Sequence, residues 1–217
     1  MLTSGLDPVT IIVRSIVLLI ALPLHELAHA LMADYLGDPT PRSQGRITLN
    51  PLKHLDVFGT IAFLMVGVGW AKPVMVNPFN MRGNPHTDMA IVAVVGPITN
   101  FLLALLGAIP FHIGLFTSLF TAHPETMGYV FYFLNEFVFL NLALAFFNLL
   151  PVPPLDGYKI LLGLLPYDIG LKLRPLNQYG FIILIALLFL LPQIGVDVLG
   201  TIVWQPTMTL YQALIGL

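Results

Sequence analysis

The chain has 217 residues, of which 57% are hydrophobic and 9% are charged, whereas about 25% are charged in an ordinary soluble domain. This composition all but excludes a soluble globular fold, and 23.9 kDa allows one compact helical bundle. The net charge of −2 without a long basic run argues against nucleic acid as a partner, and the absence of cysteine leaves His, Asp and Glu as metal ligands.

Four apolar stretches have, or approach, the roughly 20 residues that a membrane-spanning helix needs: 9–33, 89–110, 127–150 and 181–204. The last stretch is interrupted by Pro192 and Asp197. The apolar stretch 55–70 is shorter and contains three glycines, which favours a re-entrant path within a region of about 42–78. We predict an all-α polytopic membrane protein that forms a single domain over residues 1–217.

The distribution of basic residues predicts the orientation in the membrane. Cytoplasmic loops carry an excess of Lys and Arg, and eight of the nine basic residues follow the first span, precede the second or follow the third: Arg42, Arg46, Lys53, Lys72, Arg82, Lys159, Lys172 and Arg174. A re-entrant 55–70 segment keeps all eight on the cytoplasmic side. The first span then runs from outside to inside, and the tail from residue 205 lies in the outer interface.

Two short runs around the re-entrant segment have the character of strands. Residues 46–49 and 73–76 are β-branched or alternating and are flanked by Gly, Pro and Asn, which is typical of short strands. Such backbone is tolerated at membrane depth only when it is buried or lines a wet cavity. We therefore expect a small re-entrant β element, to whose edge an extended substrate could add as a further strand.

The first span contains the sequence His25-Glu26-Leu27-Ala28-His29. Helical residues four apart share one face, so both imidazoles can reach a single ion while Glu26 stays beside it. This is the pattern of metalloproteases. Ionisable groups within a membrane span are costly and usually functional, which favours a metal site over two ordinary histidines.

A catalytic zinc usually has three protein ligands and one open position. Asp156 is the best candidate for the third ligand, because it follows the third span after three prolines that prevent the helix from continuing. It also emerges on the side of the membrane where His25 and His29 are expected. His54 is the main rival ligand, since Glu125 and Glu136 belong to the outer half.

Three elements together give the chain a resemblance to the site-2 protease family of intramembrane zinc metalloproteases. They are the His25 to His29 motif, Gly96-Pro97-Ile98-Thr99-Asn100 in the second span, and Asn148 to Gly157 with its Asn-x-x-Pro and Leu-Asp-Gly. The resemblance implies a three-helix catalytic core, with a re-entrant β element between its first two helices and one or two further membrane segments outside it. The chain is similar to the compact forms that lack PDZ and CBS domains.

The resemblance also implies a chemistry. One zinc ion per chain would be held by His25, His29 and Asp156, and Glu26 would assist the attack of zinc-bound water on a peptide bond. The substrates would be transmembrane segments of other proteins in the lipid bilayer of the cell membrane, cut near the cytoplasmic side. Asn100 and Asn148 are candidate contacts to the substrate or the oxyanion, or alternatively interhelical hydrogen-bonding groups.

Two other functions and one structural question stay open at this point. A membrane protease of the prenyl-processing kind needs a later Glu, which here lies on the wrong side. A non-catalytic metal-binding or transport protein would use Glu26 only to support the histidines. Arg14 and Glu136 are expected at similar depth in the outer half, where they either form an ion pair or extend separately to the interface.

Overall fold

The computed structural model of the chain describes residues 7–60, 70–113 and 124–216. Within these ranges every regular element is helical, and the α-helices have these bounds: α1 Pro8–Leu36, α2 Thr40–Ser43, α3 Pro85–His112, α4 Pro124–Asn148, α5 Asp156–Leu164, α6 Tyr167–Leu173, α7 Gly180–Ile185 and α8 Gln205–Ile215. Four helical stretches are long and apolar enough to cross a membrane. The chain is therefore a multi-pass membrane protein.

The helix α1 begins and ends at residues that suit a helix terminus. Asp7 caps the first turn by accepting a hydrogen bond from the Thr10 N–H (3.1 Å), and Pro8 occupies the first position, where no N–H partner is needed. Gly37 ends the helix with a φ of 113°, in the left-handed region that favours glycine. The helix continues through Pro23, and its 29 residues span about 44 Å.

The core is built where α1, α3 and α4 meet, and α3 contacts both of the other helices and α5. Buried residues recur every four positions, at Val13, Val17, Ala21, His25, His29 and Ala33 in α1 and at Val92, Gly96, Asn100, Ala104 and Ala108 in α3. This spacing places each set on one face of its helix, and the small residues allow the two backbones to approach closely. Both motif histidines therefore belong to the buried stripe of α1.

The first three predicted spans are confirmed to within a few residues. The predicted fourth span, 181–204, was wrong in its bounds, because the helical stretch is Tyr167–Ile194. Residues 174–179 are polar but helical. A prediction based on a continuous apolar stretch therefore leaves them out. The helical stretch ends where Pro192 lacks an N–H and Gly195 adopts a φ of 80°. The following helix leads into α8, whose Leu214 carbonyl accepts a hydrogen bond from the His112 imidazole of α3 (2.6 Å).

The two ends of the predicted re-entrant stretch lie side by side. Leu55 and Ala71 form an isolated antiparallel bridge, and the Lys72 N–H donates to the His54 carbonyl (2.8 Å). Most of the stretch itself, residues 61–69, lies outside the described residues.

The predicted strands at 46–49 and 73–76 were wrong, since neither run forms a strand. Residues 47–49 are bends, and the 73–76 run has no regular secondary structure. The Val74 N–H donates to the side chain of Glu26, at Oε2 (2.9 Å). A strand needs a neighbouring strand to pair with, and neither run has one among the described residues.

Asp38, immediately after α1, fixes the residues that follow the 73–76 run. Its buried carboxylate accepts four hydrogen bonds of 2.5–3.0 Å, from the N–H and hydroxyl of Thr40, the N–H of Asn77 and the amide of Asn80. Burial opposes ionisation, but these hydrogen bonds lower the pKa of the Asp38 carboxyl below its ordinary value. The carboxylate therefore fixes the start of the 78–80 turn against the end of α1.

An ion pair joins α1 to α4 away from the histidines. Arg14 Nε lies 2.8 Å from Glu136 Oε2, and a second guanidinium nitrogen lies 3.3 Å from Oε1. One turn earlier in each helix, the Thr10 and Tyr132 hydroxyl groups are hydrogen-bonded (2.7 Å). The ion pair predicted as one of two alternatives is thus confirmed, and the two charges extend toward each other.

Candidate metal centre

Three side chains that are distant in the sequence meet inside the bundle. His25 Nε2 and His29 Nε2 lie 3.0 Å apart, and each lies 3.1 Å from Asp156 Oδ2. All three residues are buried. Over the described ranges, they are the only group of three or more His, Asp and Glu side chains close enough to hold an ion together. Metal–ligand bonds of about 2.0–2.2 Å allow one ion to reach all three atoms.

The ring orientation of His29 is set by α3. Its Nδ1 lies 2.7 Å from the carbonyl oxygen of Val92, and a carbonyl can only accept a hydrogen bond. The proton of the neutral imidazole is therefore on Nδ1, and Nε2 has a free lone pair directed at Asp156. Histidines that bind metals in proteins almost always donate their second ring nitrogen to an oxygen in this manner.

A hydrogen-bonded chain that begins on α4 sets the orientation of His25. Asn141 donates to the Phe137 carbonyl (2.9 Å), so its Oδ1 accepts from Asn100 Nδ2 (3.0 Å). The Oδ1 of Asn100 is then left to accept from His25 Nδ1 (2.6 Å). Asn141 and Asn100 are both fully buried. The result is again a free lone pair on Nε2, so the donor set fits a divalent metal ion.

Asp156 reaches the histidines from the first turn of α5. The preceding turn is anchored by Leu150 and Leu155, which are buried in one apolar cluster with Leu187 and Val203. Gly157 is needed beside the aspartate, because a Cβ there would lie 2.2 Å from the Leu149 carbonyl oxygen. The Leu-Asp-Gly sequence therefore anchors the turn, supplies the ligand and permits the close approach of two backbone segments.

The second carboxylate oxygen of Asp156 contacts a cation. Lys159 Nζ lies 2.9 Å from Oδ1. Burial opposes ionisation, but the charge of Lys159 lowers the pKa of the Asp156 carboxyl. The group is thus an anionic carboxylate, which is the form that binds metal.

Gly96 makes room for the histidine pair. A Cβ at this position would lie 2.4 Å from His29 Nε2 and 2.6 Å from His25 Cε1, closer than real Cβ atoms approach any heavy atom. Asn100 lies one turn later on the same face of α3. The Gly-Pro-x-x-Asn element therefore combines a gap for the two imidazoles with the group that orients one of them.

Glu26 lies beside the three metal-binding side chains and is not one of them. It is partly buried, and its Oε2 accepts a hydrogen bond from the Val74 N–H (2.9 Å). The run 71–77 therefore contacts this carboxylate through its backbone. A hydrogen bond from a rigid backbone group holds the carboxylate in one orientation next to the histidines.

Arg46 is a buried cation near Glu26 that sequence reasoning did not single out. It is 4% exposed, one guanidinium nitrogen donates to the Lys72 carbonyl, and its Nε has no hydrogen-bond partner in the part of the chain that the structure describes. Burial lowers the pKa of Arg46, and the charge of Glu26 opposes this effect. Arg46 therefore anchors the run 71–77 at the end opposite to Asp38.

Two residues that the sequence brought into consideration form hydrogen bonds outside the metal-binding group. His54 is fully buried, but its Nε2 is hydrogen-bonded to the Thr48 carbonyl (2.9 Å), and it does not join the histidine pair. Asn148 is partly buried at the end of α4, and its amide donates to the Leu144 carbonyl of its own helix (3.0 Å).

Four candidate spanning helices and a buried His-His-Asp group define a polytopic membrane protein with a metal centre in its core. Comparison with known proteins is consistent with this class. Residues 13–191 match the model of peptidase family M50. No solved structure shows a significant match to the chain.

Curated relatives agree with the family match. The chain is 41% identical over 179 residues to "Putative zinc metalloprotease YwhC" of Bacillus subtilis (strain 168), covering 79% of this chain and 78% of that protein. It is 32% identical over 183 residues to Rip2 of Mycolicibacterium smegmatis, which has the same description, covering 78% of this chain and 64% of Rip2. The archaeal MJ0611 of Methanocaldococcus jannaschii is 32% identical over 138 residues, covering 63% of this chain and 62% of MJ0611.

The chain belongs to peptidase family M50, the site-2 protease family, and it is an intramembrane metalloprotease. The family resemblance found in the three sequence motifs is thereby confirmed.

Proposed function

We propose that His25, His29 and Asp156 hold one zinc ion per chain and that Glu26 is the general base in the hydrolysis of peptide bonds. The observation that carries this proposal is the convergence of three donor atoms within 3.1 Å, with both Nδ1 atoms committed to oxygen acceptors. Zinc, when bound, polarises the scissile carbonyl and acidifies a water molecule.

The side chains of the protein perform the proton transfers. Glu26 accepts a proton from the attacking water and donates it to the nitrogen of the departing amine, so that the carboxylate is regenerated in each cycle. Its hydrogen bond from the Val74 N–H keeps it oriented between these two steps. Asn100 has both amide atoms engaged and supports His25, whereas Asn148 is the proposed contact to the substrate.

The substrates we propose are transmembrane or membrane-proximal segments of other proteins. A helical substrate must unwind before a peptide bond becomes accessible, and its freed backbone groups then need partners. The run 71–77 supports a substrate contact beside the metal centre, because the N–H of its Val74 donates to Glu26.

We propose a single domain whose active site faces the cytoplasm. The bridge between Leu55 and Ala71 supports a re-entrant region over about 42–78, which keeps eight of the nine basic residues on one side of the membrane. The metal centre lies on that side, since Asp156 and Lys159 follow the third span directly. Water then has a short path to the active site.

The test uses purified protein reconstituted with a panel of single-span substrates, with zinc measured in parallel. We expect Glu26→Gln to retain one zinc per chain and to lose cleavage by about 10²–10⁴-fold, which is the range for general acid–base groups. Asp156→Ala should lose both zinc and cleavage. Asp34→Asn is the matched control, because this carboxylate also lies on α1 but binds Arg42.

Cleavage by Glu26→Gln at the rate of the unmodified protein would refute the role of the glutamate. Full zinc content in Asp156→Ala would refute the third ligand. A metal transporter, in contrast, would retain metal uptake in the Glu26→Gln variant.

A further inference from the structure

A cavity of about 350 Å³ opens at the N-terminal end of α3, next to the metal centre. Four elements form its wall: the 78–80 turn, the first turns of α3, α5 and the 174–179 turn. Met89 and His86 in this wall precede Val92, the partner of His29, by three and six residues, or about 5 and 9 Å along the helix. The volume lies in the range of about 300–1,000 Å³ that is typical of small-molecule sites.

The polar part of the wall is basic. Arg174 and Lys159 line the cavity together with His86 and Asn177, and none of the described lining residues is acidic. Arg174 donates to His86 Nε2 (2.8 Å), and within the described ranges no carboxylate lies within ion-pair distance of it. Among the residues that the structure describes, Lys159 has the carboxylate of Asp156 as its one ionic partner. An anion bound between the two cations would neutralise the positive charge of Arg174, which has no ionic partner among the described residues.

The remaining wall and the rim of the cavity are apolar. Phe79, Met89 and Leu162 line the cavity, and Phe79 and the nearby Leu164 are each 78% exposed. Tyr167 packs its ring against His86 with 4.9 Å between the ring centres, and tyrosines are enriched where membrane meets water. Exposed apolar side chains next to the two cations, Arg174 and Lys159, fit a ligand that has an anionic head group and an acyl chain.

We propose that this cavity binds the phosphate group of an anionic lipid, with Arg174 and Lys159 as its cationic ligands. Basic pockets at the ends of membrane helices bind lipid head groups in this way, and arginine forms two parallel hydrogen bonds to phosphate. His86 holds the guanidinium in place by accepting one of its hydrogen bonds. The cavity shares Lys159 with the metal centre, so the lipid lies directly beside the active site.

The experiment measures binding of short-chain lipids to the purified full-length chain in an uncharged detergent. Dioctanoyl phosphatidic acid supplies both phosphate and acyl chains, dioctanoylglycerol lacks the phosphate, and inorganic phosphate lacks the chains. Arg174→Gln removes the unpaired cation. Lys172→Gln is the matched control, because this exposed residue lies two positions away and does not line the cavity.

We expect phosphatidic acid to bind saturably, with at least tenfold weaker binding of dioctanoylglycerol and of inorganic phosphate. Arg174→Gln should weaken the binding of phosphatidic acid by about tenfold or more, as expected for the loss of a hydrogen bond to a charged group. Lys172→Gln should change it by less than about threefold.

Equal losses in Arg174→Gln and Lys172→Gln would overturn the proposal, since they would indicate nonspecific attraction to a basic surface. Equal affinity for inorganic phosphate would overturn the lipid as the source of the phosphate. Because lipid binding is measured without substrate, a negative result would not affect the proposed proteolytic mechanism. The Glu26→Gln variant can be used for all binding measurements.

Discussion

Replacing Gly96 by alanine tests whether the close approach of α3 shapes the metal centre. The added Cβ would lie 2.4 Å from His29 Nε2, so a ring or a helix must move by about 0.6 Å to restore even a 3.0 Å contact, about three times the 0.2 Å within which metal–ligand distances are usually held. Neither imidazole can rotate freely, because each Nδ1 is hydrogen-bonded. We expect zinc affinity to fall by about 10–100-fold and stability to fall by about 1–3 kcal/mol.

The assay is zinc content at a buffered free-zinc concentration, combined with thermal unfolding and cleavage. Two controls separate the metal centre from general packing. Gly128→Ala adds a Cβ with no heavy atom within 4 Å and should keep zinc and cleavage, while the stability rises by up to about 1 kcal/mol because alanine favours the helix. Gly107→Ala brings its Cβ to 2.7 Å from Phe137, about 16 Å along α3 from Gly96, and should lose stability but keep zinc.

Two outcomes would refute this reasoning. Gly96→Ala could bind zinc and cleave substrate like the unmodified protein, which would show that the histidines adjust without cost. Alternatively, Gly107→Ala could lose zinc to the same extent, which would show that the metal centre responds to any disturbance of α3.

Asn141→Leu should lower zinc affinity about tenfold by freeing the amide of Asn100 from its acceptor; unchanged zinc titrations would show that the asparagine pair does not orient His25. The pKa of the Asp38 carboxyl is lower in the folded protein than in the unfolded chain. Its carboxylate therefore contributes its full share of the free energy of unfolding above about pH 4, which is near the unfolded pKa. This contribution is lost as the pH falls through the pKa of the folded protein. Asp38→Asn should therefore be less stable than the unmodified protein by about 1–3 kcal/mol at pH 7, with a difference that narrows in acid during thermal unfolding; a constant difference would contradict this. A double-mutant cycle with Arg14→Gln and Glu136→Gln should give a coupling of about 0.5–1.5 kcal/mol, and zero coupling would mean that the ion pair contributes nothing.

The parts of the metal centre that are visible in the sequence are those that depend on local spacing. His25 and His29 are four residues apart on one helix, and this spacing alone puts them on one face. Asp156 follows a proline-rich segment after the third span, and the charge pattern predicts that it emerges on the side where the histidines lie. These features of the sequence were enough to predict that the three side chains meet.

The parts that could not be predicted depend on distances between separate helices. Asn141 acts through Asn100, and Gly96 acts by the space that it leaves; Gly96 belongs to a recognised motif, but the sequence does not reveal this packing role. The hydrogen bonds of the Val74 N–H to Glu26 and of Arg46 to the Lys72 carbonyl were not predicted either. The fourth span was misplaced because helix bounds follow backbone hydrogen bonds, whereas the prediction followed side-chain apolarity.

The order of the ligands along the chain has a consequence for biosynthesis. His25 and His29 enter the membrane with the first helix, but the groups that orient them come from the second and third, and Asp156 follows the third. A nascent chain therefore has no complete set of ligands until its last core helix is inserted. On the proposed mechanism, hydrolysis of peptide bonds therefore requires the completed three-helix core.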